Sequence, residues 1–426
     1  MRFTYTLNKT GLSSFATTLV LTCSLLTACQ PGEEATPAET ITFTPASALV
    51  GDTITLSGKH FSTDPAKNTV SFEGKEGQVV SATDSILKVI VPDSSASGKI
   101  SVKSEAGSGI SATDFKVFNL YIVGFGETLT PPTAMYWRNG KPTILSSPEW
   151  TSATDIAISG KHIYIGGMAN FGYSPKALLW KDGQLTQLYN GTEDVFVNSI
   201  FVNNNDVYVA GYSYKDKKRT AVYWKNNQVV KLGSESDDDF ANAIAVVNND
   251  VYVVGRKNYV GTYWKNGQPV VLKGESTETD AKAIAIVNND VYIAGSEYIY
   301  TSEYQGSQAM YWKNGEPVRL NDAQTTSATS SDIKVVNNDV YVTGLLSKND
   351  QTIAVYWKNG VLVELSDFSR RTRAFGLEVF NNHVYVVGEE WIGGRLFPRL
   401  WKDGREINMT HKSISSGTNY SVVIAE

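Results

Sequence analysis

The chain has 426 residues but only 2 cysteines and 4 histidines. Both cysteines, Cys23 and Cys29, lie close to the N-terminus, so a disulfide framework or a Cys-rich metal centre is excluded from everything downstream. The histidines, His60, His162, His383 and His411, are scattered without metal-ligand spacing. There is no basic excess either. Lysine and arginine total 38 against 43 acids, a formal net charge of −5. Removing Arg2 and Lys9 with a leader leaves 36 against 43, or −7, which gives no support for nucleic-acid binding. Beyond the N-terminal segment no apolar run is long enough to span a bilayer as a helix. A phosphate-cradling glycine loop and a nucleophile elbow are also missing. These absences leave non-catalytic binding, or chemistry by carboxylates alone. A glycosidase needs only two carboxylates roughly 5 to 10 Å apart.

What the chain does have is a repeat. An apolar pair around a tyrosine, then a glycine, is followed after a gap by an aromatic or leucine, a tryptophan, a basic residue and a turn. The tyrosines are Tyr121, Tyr164, Tyr208, Tyr252, Tyr292, Tyr341 and Tyr385, at steps of 43, 44, 44, 40, 49 and 44 residues. The tryptophans are Trp137, Trp180, Trp224, Trp264, Trp312, Trp357 and Trp401. In the fourth copy, Ala241–Val247, Val251–Gly255, Thr262–Trp264 and Val270–Leu272 read as four strands. Asn248-Asn249-Asp250 and Asn266-Gly267 read as tight hairpin turns. A strand-and-turn repeat of this length predicts a seven-bladed β-propeller. The strands look apolar on both faces, as expected for blades sandwiched between neighbours. The first copy has no innermost strand of its own. Tyr420–Ile424 resembles the innermost strand of the others, so it is expected to close the ring on blade one.

The N-terminal segment, with Arg2 and Lys9 before an apolar stretch from Gly11 to Ala28, has the form of a signal peptide. It ends Leu26-Thr27-Ala28-Cys29, which resembles the bacterial lipobox. The resemblance implies lipidation of Cys29 and a membrane attachment through that lipid anchor. Gln30 does not resemble the aspartate that retains lipoproteins at an inner membrane. Glu33-Glu34 is similar to the acidic export signals of Bacteroidetes surface lipoproteins. The expected location is the bacterial outer membrane, surface-exposed or periplasm-facing. Residues 29–40 are polar and read as a flexible tether.

Residues 41–118 read as a separate all-β domain. The order of Phe43, Pro45, Gly51, Thr53-Ile54-Thr55-Leu56, Gly58, Phe61, Val70, Phe72, Val91-Pro92, Gly98, Val102, Gly107 and Phe115 resembles the IPT/TIG family of immunoglobulin-like domains. His60 stands where the family usually has asparagine. The resemblance implies a spacer or interaction module and no catalysis. Residues 119–426 are then the propeller, and the fold class expected is all-β throughout.

The propeller repeats match neither the tryptophan–aspartate, the kelch nor the quinone-dehydrogenase pattern. The sialidase Asp-box and the galactose-oxidase Tyr–Cys pair are absent as well. A Trp or Tyr at one place in every blade reads as packing. The Lys or Arg after each Trp reads as flanking a solvated hairpin. His162 and His383 occupy a turn position that is Asp206, Asp250, Asp290 and Asp339 elsewhere, and read as structural.

Loop lengths locate the expected site. The first and third turns of each blade, on one rim, are short and uniform. On the other rim the connections vary, with Tyr-to-Trp spacings of 12 in the fourth copy, 20 in the fifth and 16 elsewhere. Variable connections on a rigid scaffold are where binding resides. They carry Trp150, Phe171, Tyr173, Tyr212, Tyr214, Tyr259, Tyr298, Tyr300, Tyr304 and Trp391. Of these, Trp150, Tyr173, Tyr212, Tyr214, Tyr259, Tyr298, Tyr300 and Trp391 are the candidate ligand contacts. Nearby acids are Glu193, Asp194, Asp237, Asp238, Asp239, Glu275, Glu278 and Asp280. No cofactor is expected. Asp237-Asp238-Asp239 makes calcium possible, since calcium takes several oxygen ligands. The leading partner is a glycan, because lipoproteins with such spacers are similar to Bacteroidetes glycan-binding proteins. The alternatives are an envelope protein on the same rim, or a carbohydrate substrate for a carboxylate pair.

Overall fold

The computed structural model describes residues 39–126, 132–145, 150–169, 174–188, 193–233, 238–300, 305–321, 327–349, 351–407 and 416–426. The expected signal peptide, Cys29 and all but the end of the tether lie outside them, as do Phe171, Tyr173, Tyr304, Asp237 and His411.

The first part is an immunoglobulin-like sandwich. Strands such as Thr53–Ser57 and Ile86–Ile90 alternate buried and exposed residues, so one face meets the core and the other meets water. Strand Glu39–Thr44 joins the two sheets. Thr42–Thr44 pair antiparallel with Thr55–Ser57, and Glu39–Ile41 pair parallel with Gly109–Ser111. Ile54, Leu56, Val70, Phe72, Leu87, Val89 and Phe115 fill the core. Phe43 and Phe72 meet Phe115 edge-on at 5.3 and 5.7 Å. His60 has φ of 59°. Asparagine enters that left-handed region more readily than most residues.

Seven four-stranded antiparallel blades follow. Blade 4 is Phe240–Val247, Asp250–Lys257, Val260–Lys265 and Gln268–Val271, from the innermost strand outward. Blade 1 takes its innermost strand, Gly417–Ala425, from the far end of the chain, paired with Lys116–Gly126. The ring is therefore closed by sequence-distant strands, as expected. The seven repeat tryptophans are all buried to 1% exposure or less and pack between blades. Not every strand is apolar on both faces. The outermost strands, such as Gln268–Val271 and Glu316–Arg319, are exposed at every residue. A blade's outer edge has no neighbour to cover it, and several of these strands blunt that edge with proline (Pro142, Pro269, Pro317).

No linker separates the two parts. Strand Lys116–Gly126 begins parallel to Ser47–Leu49 of the sandwich and continues, unbroken, as the second strand of blade 1. Further contacts lie at the rim of short turns under blades 1 and 7. Phe118 meets Phe380 at 4.7 Å, Lys402 pairs with Asp52 at 3.3 Å, and Lys141 pairs with Asp93. Among the described residues the sandwich thus meets the first rim, under blades 1 and 7, and leaves the second uncovered.

Candidate functional site

The first rim is consumed by its own repeat. In all seven blades the basic residue after the tryptophan lies over the repeat tyrosine, as Lys265 does over Tyr252 at 5.1 Å and Arg138 over Tyr121 at 5.7 Å. In blades 3 to 6 that lysine also pairs with the turn aspartate, as Lys358 does with Asp339 at 2.9 Å. The aspartate in turn accepts from the hairpin asparagine, as Asp250 does from Asn266 at 2.8 Å. These contacts hold Asp206, Asp250, Asp290 and Asp339 below the usual carboxylate range. In blades 2 and 7 both partners change together. His162 faces Asp182 at 2.7 Å and His383 faces Asp403 at 2.6 Å. An aspartate in the hairpin can only accept, so its partner must donate, and histidine does. The lysines therefore do more than flank a hairpin, while the histidines are structural as expected.

At the second rim each innermost strand carries a bulge at one repeat position. The extra residues are Thr154, Asn198, Asn242, Lys282, Ser331, Phe375 and Tyr420. A bulge leaves one residue unpaired and re-aims its side chain. The repeat glycine three residues after each tyrosine makes the bulge possible. At Gly211 and Gly255 a methyl group would overlap the carbonyl oxygen of Phe196 or Phe240, just before the bulge, and the other five copies meet the equivalent carbonyl.

Two aromatic regions result. Over blades 7, 1, 2 and 3, Phe125, Trp150, Met168, Leu396 and Tyr420, with Ser152, Thr154 and Asn198, line a depression of about 540 Å³. Tyr420 lies 5.6 Å from Phe375 and 6.2 Å from Phe125. Burial, reinforced by the negative Glu389, pushes the Tyr420 hydroxyl up to about 12, so it stays a neutral donor and acceptor. Asn198 anchors its amide on the Ala241 carbonyl at 2.7 Å. The second region is a ladder over blades 3 and 4. Phe196 stacks on Tyr212 at 4.5 Å, Arg219 lies over Tyr212 and Phe240, and Arg256 lies over Phe240 and Tyr259. Its charges are internally answered, with Arg219 on Asp238 at 3.1 Å and Arg256 on Glu278 at 3.3 Å.

Below the depression a channel of about 320 Å³ runs between the innermost strands. Asp155 accepts from Ser421 Oγ at 2.7 Å and from the Ile200 amide at 2.9 Å, tying three blades together. Asp332 accepts from the Leu377 amide at 2.9 Å, and Lys334 meets Glu378 at 3.3 Å. Burial raises both aspartates.

The predicted contacts do not form one cluster. Trp150 lines the depression, while Tyr212 and Tyr214 stand on blade 3. Tyr259 is 53% exposed at a blade 4 turn, and Tyr300 is 62% exposed. Tyr298 is half-buried with its hydroxyl pushed up to about 12, mainly by burial. Trp391 is 46% exposed with Arg371 over its ring at 5.6 Å. Tyr212, Tyr214, Tyr298, Tyr300 and Trp391 were expected in loops but stand on strands, Asp206–Lys215, Asp290–Tyr300 and His383–Ile392. Aromatic residues extend a pleated ladder rather than end it. Most of the described acids of this rim face cations: Glu193 meets Lys215, Asp239 meets Lys257, Glu275 meets Arg319 and Asp280 meets Lys282. Among the described residues no group of three potential ligands could hold a metal. Sequence reasoning missed Phe125, Met168, Leu396 and Tyr420. Alignment of the innermost strands would have found Tyr420, because it falls at the bulge position.

Among solved structures the chain is similar to a structural genomics protein of unknown function from Bacteroides thetaiotaomicron VPI-5482. Identity is 12%, covering 91% of this chain and 98% of that one, with a TM-score of 0.41. It is also similar to proteins described as auxiliary nutrient binding proteins. One is from the same strain (12% identity, 86% and 98% covered, TM-score 0.36) and one from Bacteroides ovatus ATCC 8483 (10%, 72% and 95%, TM-score 0.30). No curated protein matches the chain. Residues 39–117 match the IPT/TIG domain family.

Proposed function

We propose that the protein is a lipid-anchored binding protein of the bacterial outer membrane, non-catalytic, which captures a glycan on the second rim of its propeller. One observation carries this reading. The depression around Trp150, Phe125 and Tyr420 opens on the rim that the sandwich leaves uncovered. Its walls combine ring faces with a few polar groups, Ser152, Thr154 and Asn198. Sugar rings need that combination, since their apolar faces stack while their hydroxyls hydrogen-bond. The site lies on a closed, bulge-stiffened scaffold, which limits the ordering cost of binding. Cys29 would hold the molecule to the membrane, with the sandwich fixed to the opposite rim as a spacer.

The test is affinity electrophoresis of the protein against a panel of polysaccharides, with and without calcium. Retardation by a glycan that is lost on joint replacement of Trp150 and Trp391 by alanine is the expected result. If no glycan retards the protein, the reading fails. Recovery of a single envelope protein by crosslinking would then replace it. Anchoring is tested separately, since Cys29→Ala should abolish fatty-acid labelling and release the protein from membranes.

A further inference from the structure

Arg371, Trp391 and Leu396 form one row across blade 7. Arg371 is directly opposite Trp391, and Trp391 is directly opposite Leu396. Directly opposed residues project to the same face of a sheet. Leu396 lines the depression, and the row runs from it toward the innermost strand, to an exposed tryptophan and an exposed arginine. The Arg371 guanidinium carbon lies over the Trp391 ring, 5.6 Å from its centroid.

The charges around this row are unequal. The second-rim end of blade 7 holds five arginines (370, 371, 373, 395 and 399) against three glutamates (389, 390 and 406) and Asp367 in the turn that leads to Arg370. Glu390 and Glu406 are both bound by Arg370 and Arg399. Glu389 accepts from Thr418 Oγ1 at 2.7 Å and faces Arg373 at 3.8 Å. Among the described residues Arg371 and Arg395 form no ion pair. Among the described residues that line the depression none is a carboxylate. This is a local cationic excess, beside an aromatic cavity, in a chain of net charge −5. Arg219 and Arg256, in the ladder across the disc, are by contrast answered by acids.

Resting on the binding reading above, we infer that the captured glycan is acidic and that Arg371, seated on Trp391, reads its carboxylate or sulfate. A sugar ring would stack in the depression while its anionic substituent meets the guanidinium fork, which matches such groups bidentately.

The experiment uses gels containing polygalacturonate, dextran sulfate or neutral galactomannan. Retardation by an anionic polymer but not the neutral one is expected, weakening as salt rises. The two anionic gels separate carboxylate from sulfate recognition. Arg371→Gln should weaken the anionic interaction about tenfold, the loss of a charge-assisted contact, and Arg371→Lys should restore only part of it. An unchanged melting temperature in Arg371→Gln would show that the effect is on the site. Binding to the neutral polymer alone, or anionic binding indifferent to Arg371→Gln, overturns this inference and leaves glycan capture standing. No binding to any of the three overturns this inference, and glycan capture itself falls if the wider polysaccharide panel also fails to retard the protein.

Discussion

At the first rim, Lys225, Lys265, Lys313 and Lys358 each lie over a repeat tyrosine and against a repeat aspartate, and every polar partner of that set comes from the same blade. At the second rim the equivalent position of seven innermost strands is occupied by Thr154, Asn198, Asn242, Lys282, Ser331, Phe375 and Tyr420. One rim repeats because it is a closed set of interactions that must be satisfied seven times. The other varies because the bulge frees one side chain per blade from the ladder. The lesson is that in a repeat protein a position's departure from its copies is the signal for function, and its agreement with them the signal for packing.

The contrast can be broken most forcefully at the tryptophans. Trp264→Ala, at a fully buried repeat position, should cost about 3 to 5 kcal/mol in chemical denaturation. Trp391→Ala, 46% exposed, should stay within about 0.5 kcal/mol while weakening ligand binding. Equal stability losses at the two sites would erase the distinction. Next comes the bulge. Gly255→Ala must displace the Phe240 carbonyl and should cost about 1 to 3 kcal/mol. A neutral result would mean that the bulge does not depend on that close approach.

A smaller effect tests the paired exchange on the first rim. His162→Asp would face Asp182 with a second carboxylate and should destabilise by about 1 kcal/mol at most, given its exposure. Adding Asp182→Asn rebuilds the Asp–Asn pair of blades 3 to 6 and should recover most of the loss in a double-mutant cycle. Additive losses would refute the complementarity. The smallest effect is in pH. Asp250 is held low by Lys265 and then Asn266. Its contribution is present above its unfolded value and lost as pH falls through the lower folded one. Asp250→Asn should therefore be less stable than the parent at neutral pH, with the deficit closing in acid. A deficit independent of pH would contradict the assignment.

Much of the architecture was legible because its causes are local. Asn-Gly and Asn-Asn turns adopt positive φ at both central residues, as Asn248 and Asn249 do at 51° and 69°. Closure by the final strand followed from counting innermost strands. The depression was only partly legible. Trp150 was found because it breaks the repeat, but Phe125, Met168 and Leu396 come from three different blades and meet only once the ring has closed. The strand character of Tyr212 and Trp391 was missed because hairpin extension lengthens a repeat just as a loop would. The role of Arg371 was hidden in a run of arginines, most of them bound to glutamates.

Closure by Gly417–Ala425 also sets an order of events during biosynthesis. Six blades are complete in the sequence before the seventh can be, because the innermost seat of blade 1 stays vacant until those residues have emerged. The sandwich is threaded into that same blade through Lys116–Gly126, so an earlier-made part of the molecule waits for a later-made one. A chain halted just short of residue 417 would therefore be an open ring, with strand Lys116–Gly126 bare along one edge.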